Sequence, residues 1–149
     1  MILSVFLALL LVLITFYIHL AFLRYLSLRI PHAKISNYNQ VLIIVIALFI
    51  AHLIEVGIYA LTYEICIKYF ELGSLHGGHV YIYMEYLYYS LVTYTSLGIG
   101  DIYPEGHIRF ITGIEALNGL MLITWSASFT FIVMKRLWPW QDGCKQIPN

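Results

Sequence analysis

Apolar positions fall in three long runs, residues 1–23, 41–63 and 111–134, separated by stretches where charges, glycines and aromatics collect. The first run is interrupted only by Ser4, Thr15 and His19. As a helix rising about 1.5 Å per residue it would reach roughly 34 Å, longer than a hydrocarbon core of roughly 30 Å. A cleaved leader would instead show a basic start, a shorter apolar stretch and a small-residue cleavage site, so the run is expected to span. The pattern therefore predicts three transmembrane helices. A fourth helical stretch, residues 80–94, is rich in tyrosine and too short to cross, at about 22 Å.

Composition sharpens this reading. Of 149 residues, 61% are apolar and 11% charged, against about 25% charged in soluble domains. An ordinary soluble globule, a disordered chain and a basic nucleic-acid binder are all excluded; the expected surroundings are a lipid bilayer, with no nucleic acid partner. Charge placement gives the orientation. Arg24, Arg29 and Lys34 lie in the connection 24–40, where Pro31 ends any helix. Lys135, Arg136 and Lys145 follow the third run. Three spans put both basic groups on one side, which the positive-inside rule makes the cytoplasm, with the N-terminus outside. Lys68 and Arg109 are outnumbered in the other connection by Glu64, Glu71, Glu85, Asp101 and Glu105. Trp138 and Trp140 suit an interfacial anchor at the inner leaflet of a cell membrane, where a short tail, 139–149, begins. Cys66 and Cys144 fall on opposite sides in this topology and cannot bridge within one chain.

The chemistry is concentrated in Tyr88-Tyr89-Ser90-Leu91-Val92-Thr93-Tyr94-Thr95-Ser96-Leu97-Gly98-Ile99-Gly100-Asp101-Ile102-Tyr103-Pro104. Irregular backbone at membrane depth is tolerated only where protein covers it or water wets it. A strand whose carbonyls all face one way needs alternate residues in left-handed conformations, which Gly98 and Gly100 reach without a Cβ penalty of roughly 1–2 kcal/mol. The Ser96 hydroxyl would extend that row of oxygens. The competing reading is a plain outer hairpin between two anchor helices.

Residues 95–101, Thr95-Ser96-Leu97-Gly98-Ile99-Gly100-Asp101, resemble the filter of the tetrameric potassium channels, Thr-Thr-Val-Gly-Tyr-Gly-Asp. The chain resembles bacterial single-pore-loop ion channels with an extra N-terminal span. The likeness covers residues 41–138: an outer helix 41–63, a turret 64–79, a pore helix 80–94, the filter 95–101 and an inner helix 111–134. It implies an all-α membrane protein with a re-entrant pore helix and a pore formed by four chains. Carbonyls of Ser96, Leu97, Gly98 and Ile99 would replace the hydration shell of K⁺, with Gly100 completing the outer mouth. No cofactor other than the permeant K⁺ is implied. Thr95, Tyr88, Tyr89 and Asp101 would support the filter, with the Tyr89 hydroxyl donating to Asp101. Three departures stand out: Ser96 for threonine, Leu97 for valine and Ile99 for tyrosine. The last removes a hydroxyl that ties the filter to the pore helix. A weakly selective monovalent cation channel is therefore the alternative reading.

Intramembrane carboxyls are costly and usually face protein or water. Glu55 and Glu115 both fall at the depth expected for the filter, where they would brace the pore helix through Tyr or Thr side chains or reach a wet pocket. Gly119 falls near the place where inner helices of the family bend. A membrane metalloenzyme or a non-conducting assembly subunit are the readings of a different class. No transition-metal site is expected: His52 and Glu55 share a face at i, i+3, but His76 and His79 lie in the turret, so three convergent ligands are missing.

Overall fold

The computed structural model describes residues 1–30, 35–77 and 83–137. Pro31, Lys34, His79, residues 80–82 of the expected pore helix, and Trp138, Trp140, Cys144 and Lys145 of the C-terminal region lie outside the described residues.

Three long helices form the body: α1 (Ile2–Arg29), α2 (Asn37–Lys68) and α4 (Ile108–Leu137). Each is long and apolar enough to cross a membrane. All three overrun the spans read from hydropathy, because an apolar run reports the thickness of lipid whereas helical hydrogen bonding continues into the polar flanks. α1 runs on through Arg24 to Arg29, stopping just short of the Pro31 position, as expected where proline disfavours helical conformation in the residue before it. Between α2 and α4 lie β1 (Gly73–His76), the short helix α3 (Tyr83–Tyr94) and β2 (Tyr103–Gly106).

Along the helices the polar and small positions turn inward beside apolar ones, while the outward positions are largely apolar. On α1 the buried positions are Ser4, Ala8, Leu11, Thr15, His19, Leu23 and Leu26, one stripe at helical spacing. Phe6, Leu9, Leu13, Tyr17 and Leu20 point outward. Lipid removes the hydrophobic drive for helix association, so small residues that allow close approach and polar residues that need partners turn inward. The same stripe appears on α4 as Ile111, Glu115, Asn118, Gly119, Leu122 and Ser126. Asn118 is the cross-tie: its Nδ2 donates to Thr15 Oγ1 at 2.8 Å and to the Tyr59 hydroxyl at 3.1 Å, joining α1, α2 and α4.

α2 and α4 run antiparallel, so the start of one meets the end of the other. Asn37 Nδ2 donates to the Leu137 carbonyl at 2.8 Å. Arg29, Lys135 and Arg136 consequently sit at one end of the bundle. At the opposite end β1 and β2 form an antiparallel pair, with Gly73 opposite Gly106 and His76 opposite Tyr103. The amide of His107 donates to the Leu72 carbonyl at 2.7 Å and closes the base. This small ladder, one strand in the expected turret 64–79 and the other beyond the filter, was not evident from hydropathy. It clips together the two chain segments that flank α3 and the strand after it.

α3 descends only to the middle of the bundle and stops against Gly119 of α4. A Cβ built on Gly119 would collide with the Tyr94 carbonyl oxygen. α4 is helical without interruption across this residue, so what the fold asks of Gly119 is close approach rather than a break. Gly119→Ala is therefore expected to destabilise the protein by about 1–3 kcal/mol, the usual range for overpacking. Gly57→Ala, where an added Cβ meets nothing within 4 Å, should be neutral or stabilising by up to about 1 kcal/mol. Thermal unfolding of the two variants in one detergent checks both.

Candidate functional site

α3 turns Tyr86, Tyr89, Ser90, Thr93 and Tyr94 inward, a stripe at i, i+3, i+4, i+7 and i+8. Its end is closed by its own backbone. The Ser96 amide donates to the Thr93 carbonyl at 2.9 Å and the Leu97 amide to the Val92 carbonyl at 3.0 Å, the paired bonds of a Schellman motif with its left-handed residue at Ser96. The Thr95 hydroxyl donates back to the Leu91 carbonyl at 2.8 Å. The orphan carbonyls of a helix that ends at membrane depth are thereby partly satisfied without water.

Beyond this cap the left-handed conformation recurs at every second residue. Ser96 has φ 57°, Gly98 56° and Gly100 84°. The alternation thus begins one step before the glycines, at a serine whose positive φ the helix cap explains. Residues 95–101 are all exposed on the single chain, Leu97 at 68% and Ile99 at 58%. The Ser96 hydroxyl, expected to extend the row of oxygens, instead makes a long 3.4 Å contact with the Ala116 carbonyl of α4.

The tyrosine pair requires a correction. Tyr88, not Tyr89, donates its hydroxyl to Asp101, at 2.8 Å from Oδ2, while Asp101 Oδ1 accepts from the Ile102 amide at 3.0 Å. Tyr89 points the other way, 2.8 Å from the Thr112 hydroxyl and edge-on to the Tyr63 ring. Adjacent residues on a helix differ by about 100° in direction, so only one of the two can face Asp101.

Both intramembrane carboxyls are fully buried and both meet α3. Glu115 accepts from Ser90 and Tyr63, each at 2.5 Å. Its partners are hydroxyls alone. Glu55 accepts from the Tyr94 hydroxyl at 2.5 Å and is flanked by two imidazoles: His19 Nδ1 lies 3.0 Å from Oε1 and His52 Nδ1 3.2 Å from Oε2. His19 comes from α1, so the premise behind expecting no transition-metal site does not hold. Two ligands at i, i+3 on α2 acquire a third across the helix interface, and ligand atoms of all three residues lie within 4.8 Å of one another. Ser126 closes the far side, its Oγ 3.0 Å from His52 Nε2 and 3.1 Å from His19 Nε2. His19, Thr15, Ser90 and Asn118 carry none of the roles expected from the sequence, although Thr15 and His19 were visible as breaks in the first apolar run. His76 stays apart in the clip, 3.2 Å from Glu105.

Two substitutions follow from these contacts. Tyr88→Phe should release Asp101 and shorten the lifetime of the conducting state several-fold in single-channel records, whereas Tyr89→Phe leaves the Asp101 contact in place. At position 115, Glu115→Gln keeps an acceptor for Ser90 and Tyr63. Glu115→Leu leaves Ser90 only the Val56 carbonyl at 2.9 Å and Tyr63 only a long 3.3 Å contact with Thr112, and should cost about 1–3 kcal/mol in all, read as a loss of thermal stability relative to Glu115→Gln.

Comparison with curated proteins and with solved structures returned no match. Comparison with protein families gave one whose description is "Ion channel", matching residues 41–136. That interval takes in nearly all of α2 and of α4, with the clip, α3 and the strand between them, and leaves out α1. With the match covering well over half of the chain, this multi-pass membrane protein belongs to that ion-channel family.

Proposed function

We propose that the chain is one subunit of a four-fold channel that conducts K⁺ passively through a filter made of residues 95–101. The observation that carries this reading is the alternating-handed strand at the end of α3, exposed on a single chain at the depth where α3 stops. Lipid does not tolerate such backbone, so it needs cover from protein and contact with water. Four copies around an axis provide both: each strand is walled by its neighbours, and the exposed Leu97 and Ile99 side chains pack between copies.

In this reading the Ser96, Leu97, Gly98 and Ile99 carbonyls replace water around K⁺, and Gly100 opens to the outer mouth. The negative end of the α3 dipole favours a cation just below the filter. Glu55 and Glu115 hold α3 from behind through Tyr94 and Ser90. Asp101, held by Tyr88, supplies the attachment of the strand that Ile99 cannot provide where the family's tyrosine is missing. The end bearing Arg29, Lys135 and Arg136 faces the cytoplasm of a cell membrane, and the N-terminus lies outside.

Reconstitution into planar bilayers with K⁺ on one side and Na⁺ on the other tests the proposal. The reversal potential should shift by about 59 mV for each tenfold in permeability ratio, with K⁺ preferred at least tenfold. Gly98→Ala should abolish that preference or the current itself. A reversal potential near zero would replace the selective reading with the weakly selective cation channel, and a monomeric protein without current would overturn both.

A further inference from the structure

We propose that His19, His52 and Glu55, with the Tyr94 hydroxyl, form a buried site for one divalent transition-metal ion with the ligand preferences of Zn²⁺. The site joins α1, which lies outside the family match, to the outer helix, the end of α3 and α4.

The donor set fits such an ion. Imidazole nitrogens with one carboxylate suit zinc and its first-row neighbours, whereas Ca²⁺ and Mg²⁺ require shells of oxygen. Tetrahedral coordination with bonds of about 2.0–2.1 Å places neighbouring ligand atoms roughly 3.3 Å apart. The two imidazoles face different oxygens of one carboxylate, His19 Nδ1 at 3.0 Å from Glu55 Oε1 and His52 Nδ1 at 3.2 Å from Oε2, and ligand atoms of the three residues lie within 4.8 Å of one another. The Tyr94 oxygen adjoins the group, 2.9 Å from His52 Nδ1 and 2.5 Å from Glu55 Oε2, and a bound ion would draw this last pair apart to the tetrahedral edge. On binding, its O–H bond breaks and the proton leaves to solvent. Phenolate and carboxylate together then balance the double positive charge, so the apolar layer holds no net charge there.

The second observation lies behind the rings. With the metal on both Nδ1 atoms, each imidazole carries its proton on Nε2, and both Nε2–H groups face Ser126 Oγ at 3.0 and 3.1 Å. A hydroxyl oxygen has two lone pairs and accepts both, the outer contact that commonly fixes metal-bound histidine. Without a metal, the tautomer that turns both Nδ1–H groups to Glu55 leaves two Nε2 lone pairs competing for the single proton of Ser126, a conflict that a metal on the Nδ1 atoms removes.

Full-length protein equilibrated with Zn²⁺ and desalted should retain one zinc per chain by plasma mass spectrometry. His76→Gln, in the clip, should retain the same. His19→Gln and His52→Gln should weaken retention at least 100-fold, and Ser126→Ala by 10–100-fold. Co²⁺ in place of zinc should give visible ligand-field absorption in the wild type that His52→Gln abolishes, and zinc should raise the wild-type unfolding temperature by mass action but not that of His52→Gln. The spectrum and the unfolding shift keep the test independent of whether His19→Gln folds. Metal content is also independent of conduction, so failure here leaves the channel reading standing. Absence of stoichiometric zinc from the wild type would overturn the proposal, as would zinc lost with His76→Gln or kept with His19→Gln.

Discussion

A helix that ends inside a membrane leaves carbonyls and onward chain where no lipid can hydrogen-bond them, and nearly everything distinctive in this protein answers that requirement. The Schellman bonds from Ser96 and Leu97 answer it locally. Gly119 answers it across the helix interface by letting the Tyr94 carbonyl come against α4. The strand after the cap then leaves in alternating-handed conformation, a form imposed from its first residue by the cap itself.

The second consequence is the density of polar side chains in an otherwise apolar layer. Glu115 with Ser90 and Tyr63, and Glu55 with Tyr94 and two histidines, grip α3 one turn apart on the same face. Such groups are expensive to place in a membrane, and each of the two carboxylates meets partners from two other helices. The price is specificity of packing: α1 has to sit where His19 and Thr15 meet their partners, and α4 where Asn118 and Ser126 do. The ion-channel family match begins only at residue 41, so α1 enters the assembly through these polar contacts together with the packing of its small residues.

Much of this was legible in the chain. Three apolar runs gave three helices because lipid imposes a length, and Gly98 and Gly100 marked the irregular strand because few other residues adopt its backbone so readily. Helix ends were misplaced by several residues, since hydropathy changes at the lipid boundary and hydrogen bonding does not. Tyr88 and Tyr89 were exchanged because adjacent residues look equivalent until packing chooses a direction. The histidine cluster stayed hidden for a different reason: His19 and His52 are separated by a whole connection, and only the facing of α1 against α2 brings them together. A trace of it was present, because Ser4, Ala8, Leu11, Thr15 and His19 already form one helical stripe of mainly small and polar residues.

The antiparallel clip between Gly73–His76 and Tyr103–Gly106 gives the molecule a mechanical property. It bridges the top of α2 and the start of α4 in parallel with the segment containing α3 and the strand. Lateral tension that pulls those two helices apart is carried first across the ladder's four residue pairs. The ladder is thus a shorter load path between the two helices than the chain through α3, and it runs beside the alternating-handed strand rather than through it.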